Sequence, residues 1–290
     1  MSSHRKSDSM NGDIHSAAAV GFSRAADAYE RGRPDYPQEA IRFIADQLFG
    51  FQSAARRPSQ DPLDVVDLAA GTGKFTRVLE IIREGDPDSI DSIIAVEPVA
   101  EMRVKCSEMI ERFGSGHPSM VLEGTAEKIP LTDASTDVVT VAQAFHWFDG
   151  AKALPEIHRV LKPGGMLLLI WNVRDESVDW IQKMTALMKP YEGEAPRYLS
   201  MKWREAFDRS DLFTPFELTT FKNPTTGTLE TMLDRVASVS FVAALDEESR
   251  SSLLSQMREL YRTQLGQEGV PAGQMVMPYE TNIFICRRNP

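Results

Sequence analysis

Residues 65–79 read Val-Val-Asp-Leu-Ala-Ala-Gly-Thr-Gly-Lys-Phe-Thr-Arg-Val-Leu, an order of side chains suited to cradling a nucleotide-like ligand. An apolar run ends in a carboxylate, Asp67. Gly71 and Gly73 then remove the β-carbons that would keep a ligand off the backbone, and the amides of the following helix start face outward as donors. A second acid, Glu97, closes the next β-branched run, Ile93-Ile94-Ala95-Val96, where a carboxylate can accept both hydroxyls of a ribose.

The dinucleotide fingerprint G-x-G-x-x-G needs a third glycine, and here that place is taken by Thr76. Asp67, preceding the loop, is placed to hold an ammonium group, which a dinucleotide lacks. The arrangement therefore fits S-adenosylmethionine better than NAD.

His146 and Trp147 follow a buried strand, so His146 is a candidate general base, with packing beneath the cofactor as its structural alternative, and Trp147 a candidate pocket wall. Arg31 and Arg33 are candidates to grip an acidic acceptor, their alternative being solvated charge. Glu156, His158 and Arg159 fall on the polar side of a helical pattern and read as solvated surface. Met184, Met188, Tyr191, Tyr198, Met201 and Trp203 read as core, with a cover over an organic substrate as the alternative. His and Cys are too scattered for a ligand cluster, so no metal is expected.

These groups need elements to hold them. Helical spacing predicts a helix over 39–49, then strand 63–68 and a helix to 82. The acidic stretch 83–92 reads as a surface turn, followed by a second strand and a helix over 99–113. Short strands at 119–122 and 137–142, a helix at 150–161 and a strand at 166–171 complete the alternation. Beyond it, 176–212 reads as helical, 215–221 as a sixth strand, 227–238 and 245–265 as helices, and 279–287 as a last strand. Such alternation implies a mainly parallel sheet covered on both faces.

The bulk composition narrows the class further. With 42% hydrophobic and 26% charged residues the chain lies outside the disordered class, and no apolar run approaches the length of a membrane span. A net charge of -10 without a basic patch disfavours nucleic acid as a partner. Two cysteines, Cys106 and Cys286, make no disulfide framework, which fits a reducing, cytoplasmic setting. Residues 1–19 lack the apolar core of a signal peptide and read as a disordered tail.

Asp67-Leu68-Ala69-Ala70-Gly71-Thr72-Gly73 resembles motif I of the class I S-adenosylmethionine-dependent methyltransferases. Glu97 looks like their ribose-binding acid, and Gly124-Thr125-Ala126-Glu127-Lys128-Ile129-Pro130-Leu131 resembles the segment along the adenine. Leu161-Lys162-Pro163-Gly164-Gly165 resembles the turn into strand five. Gln143-Ala144-Phe145-His146-Trp147-Phe148-Asp149, with Arg33-Pro34-Asp35-Tyr36-Pro37, resembles the subgroup related to trans-aconitate and cantharidin methyltransferases.

The resemblance implies a doubly wound, mainly parallel seven-stranded sheet of Rossmann-like methyltransferase type with a reversed last strand and a helical insertion after strand five. It implies one domain over 20–290, with a cofactor-binding core at 65–172 and acceptor-side lid elements at 20–50 and 176–212. It further implies that Asp67, Ala69, Gly71, Gly73, Glu97, Pro98, Met102, Thr125, Ala126, Glu127 and Gln143 hold S-adenosylmethionine. His146 would be catalytic, with Arg33, Tyr36, Trp147, Trp171 and Arg174 around a small-molecule acceptor, a carboxylate being the favoured type. A non-catalytic S-adenosylmethionine-binding regulator, or transfer to a hydroxyl or thiol of a natural product, are the competing readings. Two departures stand out: the family usually has Gly at Ala69, which implies a wider first turn, and Asp at Thr125.

Overall fold

The computed structural model describes residues 34–52, 61–114, 116–193, 196–266 and 269–290. The expectations for residues 1–19, Arg31 and Arg33 lie outside them.

Strand β1 (Leu63–Leu68) has apolar residues on both sides of its pleat, and it pairs in parallel with β2 (Ile90–Val96) and β4 (Thr136–Ala142). Strand β3 (Ser119–Leu122) adds to β2, and β5 (Leu161–Arg174) to β4. Strand β9 (Tyr279–Arg287) lies antiparallel between β5 and β6 (Glu217–Lys222), so the order is β3-β2-β1-β4-β5-β9-β6. This is the seven-stranded sheet, with its reversed last strand, that the resemblance implied.

Successive residues point to opposite faces, and each face has its own core. Val65, Val138, Leu168 and Ile283 pack under α1 (Gln38–Gln52) and α2 (Lys74–Gly85). Val66, Val139, Leu167 and Phe284 pack on the other side under α4 (Gly150–Val160). Helix α3 (Ala100–Phe113) crosses between β2 and β3 and packs on α2.

A third apolar cluster sits apart from both faces. Helices α5 (Asp179–Met188), α6 (Leu229–Ala237) and α7 (Glu247–Arg262) close it with Met275 and Met277. Met184 and Met188 are buried there, whereas Trp203 belongs to the core beneath α4 and Met201 is exposed. A two-stranded sheet, β7 (Thr225–Thr228) with β8 (Gln274–Met277), braces this helical layer. It was not expected, because two four-residue strands far apart in sequence carry too little alternation to read. Residues 227–228, expected as helix, belong to β7, and the Thr228 side chain caps α6 by accepting the Thr231 N–H at 3.2 Å.

Two surface assignments are corrected. Arg83 is not part of an exposed turn: α2 runs to Gly85, and the Arg83 side chain is buried, donating to Glu80 at 2.6 Å and to Ser119 at 2.7 Å. A buried charge is held only when so partnered, and this one ties α2 to β3. Glu156 and Arg159 are likewise not a solvated pair. Glu156 accepts the Ile129 N–H at 2.9 Å, while Arg159 donates to the carbonyls of Leu131 and Ile129 at 2.7 and 2.9 Å. Together they brace the 124–131 segment against α4. His158 packs edge-on against Phe213. Among the described residues no helix is long and apolar enough to cross a membrane, and no group of three or more His, Cys, Asp or Glu could hold a metal.

Candidate functional site

The C-terminal ends of β1, β4 and β5 open into one cavity, closed from above by the segment around Arg197 and by Arg235 and Val239 of the helical layer. Open α/β sheets bind ligands at this end. Asp67, Ala69, Gly71, Gln143, His146, Trp147, Tyr36, Trp171 and Arg174 all line it.

The loop after β1 carries the backbone strain. Ala69 holds φ 58° and Gly71 φ 60°, and a β-carbon on Gly71 would meet nothing within 4 Å, so that face is open to the cavity. Ala69 adopts the left-handed conformation that glycine would, at a cost of roughly 1–2 kcal/mol. Gln143, ending β4, is held the same way at φ 61°. Two strained non-glycine residues thus face one cavity, as expected where backbone is shaped for a ligand. Gly73 has another reason to be glycine. A β-carbon there would come within 2.6 Å of Met109 and 2.9 Å of Cys106, so its absence lets α2 pack on α3.

Asp67 is fully buried, with the Thr76 hydroxyl donating to one oxygen at 2.6 Å and Thr140 to the other at 3.2 Å. Burial pushes its carboxyl up to about 7, against those two hydrogen bonds, which favour the charged form. The carboxylate expected to hold an ammonium is enclosed at the cavity floor. Thr76, which displaced the third glycine of a dinucleotide loop, is what holds it.

Glu97 is also occupied by its own chain. It accepts the Gly71 N–H at 2.9 Å and the Val99 N–H at 2.9 Å, and burial raises its carboxyl above the usual range. The acid at the end of β2 thereby fixes the glycine loop at the end of β1. Glu97 does not line the cavity, nor do Gly73, Pro98, Met102, Thr125, Ala126 or Glu127. Met102 and Ala126 are buried, the Pro98 carbonyl accepts from Arg103 at 2.7 Å, and Glu127 accepts the Asp149 N–H at 3.0 Å. Thr125 closes a tight turn with Lys128.

On the other side of the cavity the wall is aromatic. The Trp171 indole N–H donates to His146 Nδ1 at 3.2 Å. Indole can only donate, so Nδ1 supplies a lone pair and the neutral ring carries its proton on Nε2. His146 is therefore held as a hydrogen-bond donor, and its one basic nitrogen is engaged. Trp171 in turn packs on Trp203 and Tyr198 with ring centres 4.7 and 5.0 Å apart.

Tyr36 is positioned by a polar knot that the sequence did not advertise. Asn172 donates to the carbonyls of Pro34 and Asp35 at 3.1 and 3.3 Å, Asn223 donates to that of Asp35 at 2.8 Å, and the Lys74 ammonium pairs with the Asp35 carboxylate at 2.8 Å. The Tyr36 ring then stands edge-on to Phe75. Sequence reasoning did not single out Arg197 or Arg235 at the cavity, since each belongs to a segment whose path only the fold reveals, while Tyr198, read as core with a substrate cover as the alternative, lines it. The preference of Asn for backbone carbonyl partners at strand ends was the only available signal for the knot.

A family model described as "Methyltransferase domain" matches residues 66–169. An uncharacterized methyltransferase of Mycobacterium tuberculosis is 37% identical over 254 residues, covering 84% of this chain and 87% of its own length. An uncharacterized methyltransferase-like protein of Schizosaccharomyces pombe is 31% identical over 268 residues, covering 90% and 93%. Among solved structures, the YcgJ protein of Bacillus subtilis shares the fold with a TM-score of 0.53 at 19% identity, over 88% of this chain and 100% of that one. Phosphoethanolamine N-methyltransferase 2 of Haemonchus contortus does so with a TM-score of 0.55 at 14% identity, over 97% and 61%.

Proposed function

This chain belongs to the class I S-adenosylmethionine-dependent methyltransferases, and on that premise we propose that it transfers the methyl group to a carboxylate of a small-molecule acceptor, forming an ester. Bound cofactor supplies an electrophilic methyl on a sulfonium centre that is itself the leaving group. The open face at Gly71, the left-handed turns at Ala69 and Gln143, and the acid on the cavity floor fit such a ligand.

What the residues then have to do is align and desolvate the acceptor. Trp171, Tyr198 and Trp147 form the apolar wall, and Tyr36 closes the side nearest α2. Arg174, ending β5, attracts a negative group, and His146 Nε2–H is a donor to an acceptor oxygen.

The engaged Nδ1 of His146 carries this reading. A hydroxyl or thiol must lose its proton to react, and the candidate base has its lone pair committed to Trp171. An ionised carboxylate needs no base. The test is kinetic, on the first acceptor identified. Arg174→Ala should lower kcat/KM by about 2 kcal/mol, as for a lost charge-assisted contact, with cofactor affinity unchanged. His146→Gln should cost little for a carboxylate; a loss of roughly 10²-fold or more would instead establish base catalysis on a hydroxyl or thiol. In this reading Pro98, Met102, Thr125, Ala126 and Glu127 lie beside the adenosine and Arg33 beside the acceptor, and the same variant-by-variant comparison tests each.

A further inference from the structure

Two guanidinium groups in the cavity have no counter-ion among the described residues. Arg174 reaches only the sulfur of Met188, at 3.8 Å, and Arg235 only that of Met232, at 3.6 Å. Arg235 Nε is shielded from solvent and has no hydrogen-bond partner. Both arginines line the same cavity. The contrast with the other cavity cations is sharp: Lys74 pairs with Asp35 at 2.8 Å and Arg197 with Glu192 at 3.4 Å.

A thioether is a poor acceptor, and both side chains are half-buried, so each guanidinium is partly withdrawn from water with no anion to pair it, at a cost in stability. Such a cost persists where a ligand repays it. In a chain of net charge -10, this is also a local reversal of sign that draws anions to one place.

We propose that Arg174 and Arg235 form an anion subsite that holds a second acidic group of the acceptor, a carboxylate or phosphate, distinct from the oxygen that is methylated. The inference rests on the methyl-transfer reading and deepens it. A carboxylate clamped by two guanidiniums has its lone pairs committed, whereas the reacting oxygen must keep one for the methyl carbon. The anchor and the nucleophile are therefore separate groups. Arg174 ends a strand of the main sheet and Arg235 lies on α6 of the helical layer, so one anion spanning them fastens that layer to the sheet. Binding of the acceptor then closes the cavity over the reacting methyl.

The test measures melting temperature with sodium malonate, with sodium phosphate and with sodium chloride at equal ionic strength. Wild-type protein should gain stability with malonate or phosphate beyond the chloride control, the stronger of the two identifying the group. Arg235→Met should melt above wild type without anion, because an unpaired cation is gone, and should lose the anion response. Arg235→Gln, which keeps a polar head, should lose the response as well. S-adenosylhomocysteine binding by calorimetry, run on the same samples, should be unchanged in both variants; it reports on the methyltransferase reading independently. An anion effect on wild type no larger than chloride, a full response retained in Arg235→Met, or a Met variant that melts below wild type would each overturn the proposal.

Discussion

At Asp67 two hydroxyls and complete burial compete over one proton. Burial wins, and the carboxyl sits at about 7 in place of 3.8. The folded protein thus keeps a proton that the unfolded chain loses, so this group's contribution to stability is greatest below pH 4 and declines as pH rises towards 7. Urea unfolding of wild type and Asp67→Asn across that range should show the stability difference shifting against wild type with increasing pH. A constant difference would mean that Asp67 is ionised throughout. A cationic ligand above Asp67 favours its charged form, so affinity for S-adenosylmethionine should increase through pH 7.

The glycine loop makes the companion case at this scale. Gly71→Val should largely abolish S-adenosylhomocysteine binding, because φ 60° strains a β-branched residue and its side chain enters the cavity. Glu97→Ala should weaken binding by roughly 1–3 kcal/mol, since it removes the carboxylate that holds the Gly71 amide as well as any contact with a ribose. Calorimetry decides, and wild-type affinity in both variants would remove the assignment.

Among the elements, the ones that a local pattern can announce were legible. The strands over 63–68, 119–122 and 279–287 match to the residue, because apolar β-branched runs between polar turns leave little choice of period. What stayed hidden depends on contacts between distant segments. Arg83 reads as surface until Glu80 and Ser119 are seen around it, and Asn172 reads as an ordinary strand end until it binds residues 34–35. Asn172→Ala tests that knot: freed from it, Tyr36 should lose its fixed place, raising KM for the acceptor about tenfold while S-adenosylhomocysteine affinity holds. Equal loss of both would make the knot a general structural brace.

For the whole molecule, the division of labour follows the sheet. Its C-terminal edge offers the glycine loop from β1 and the aromatic wall from β5, and from above come Arg235 of the helical layer and Arg197 of the segment that follows α5. The half of the cavity proposed for the cofactor was visible in sequence where Asp67, Ala69 and Gly71 lie within a few residues of one another, while Glu97 and the 124–131 segment lie outside its lining. The half proposed for the acceptor draws on segments near 35, 146, 171, 197 and 235, and only folding brings them together. Esterification is tested most directly by supplying S-adenosylmethionine labelled on its methyl carbon with a panel of small carboxylic acids, several bearing a second acidic group. Label should pass to an acid and return as methanol on mild alkaline hydrolysis, the signature of a methyl ester. Label in an alkali-stable product, or no transfer to any acid by a protein that binds S-adenosylhomocysteine, would contradict it.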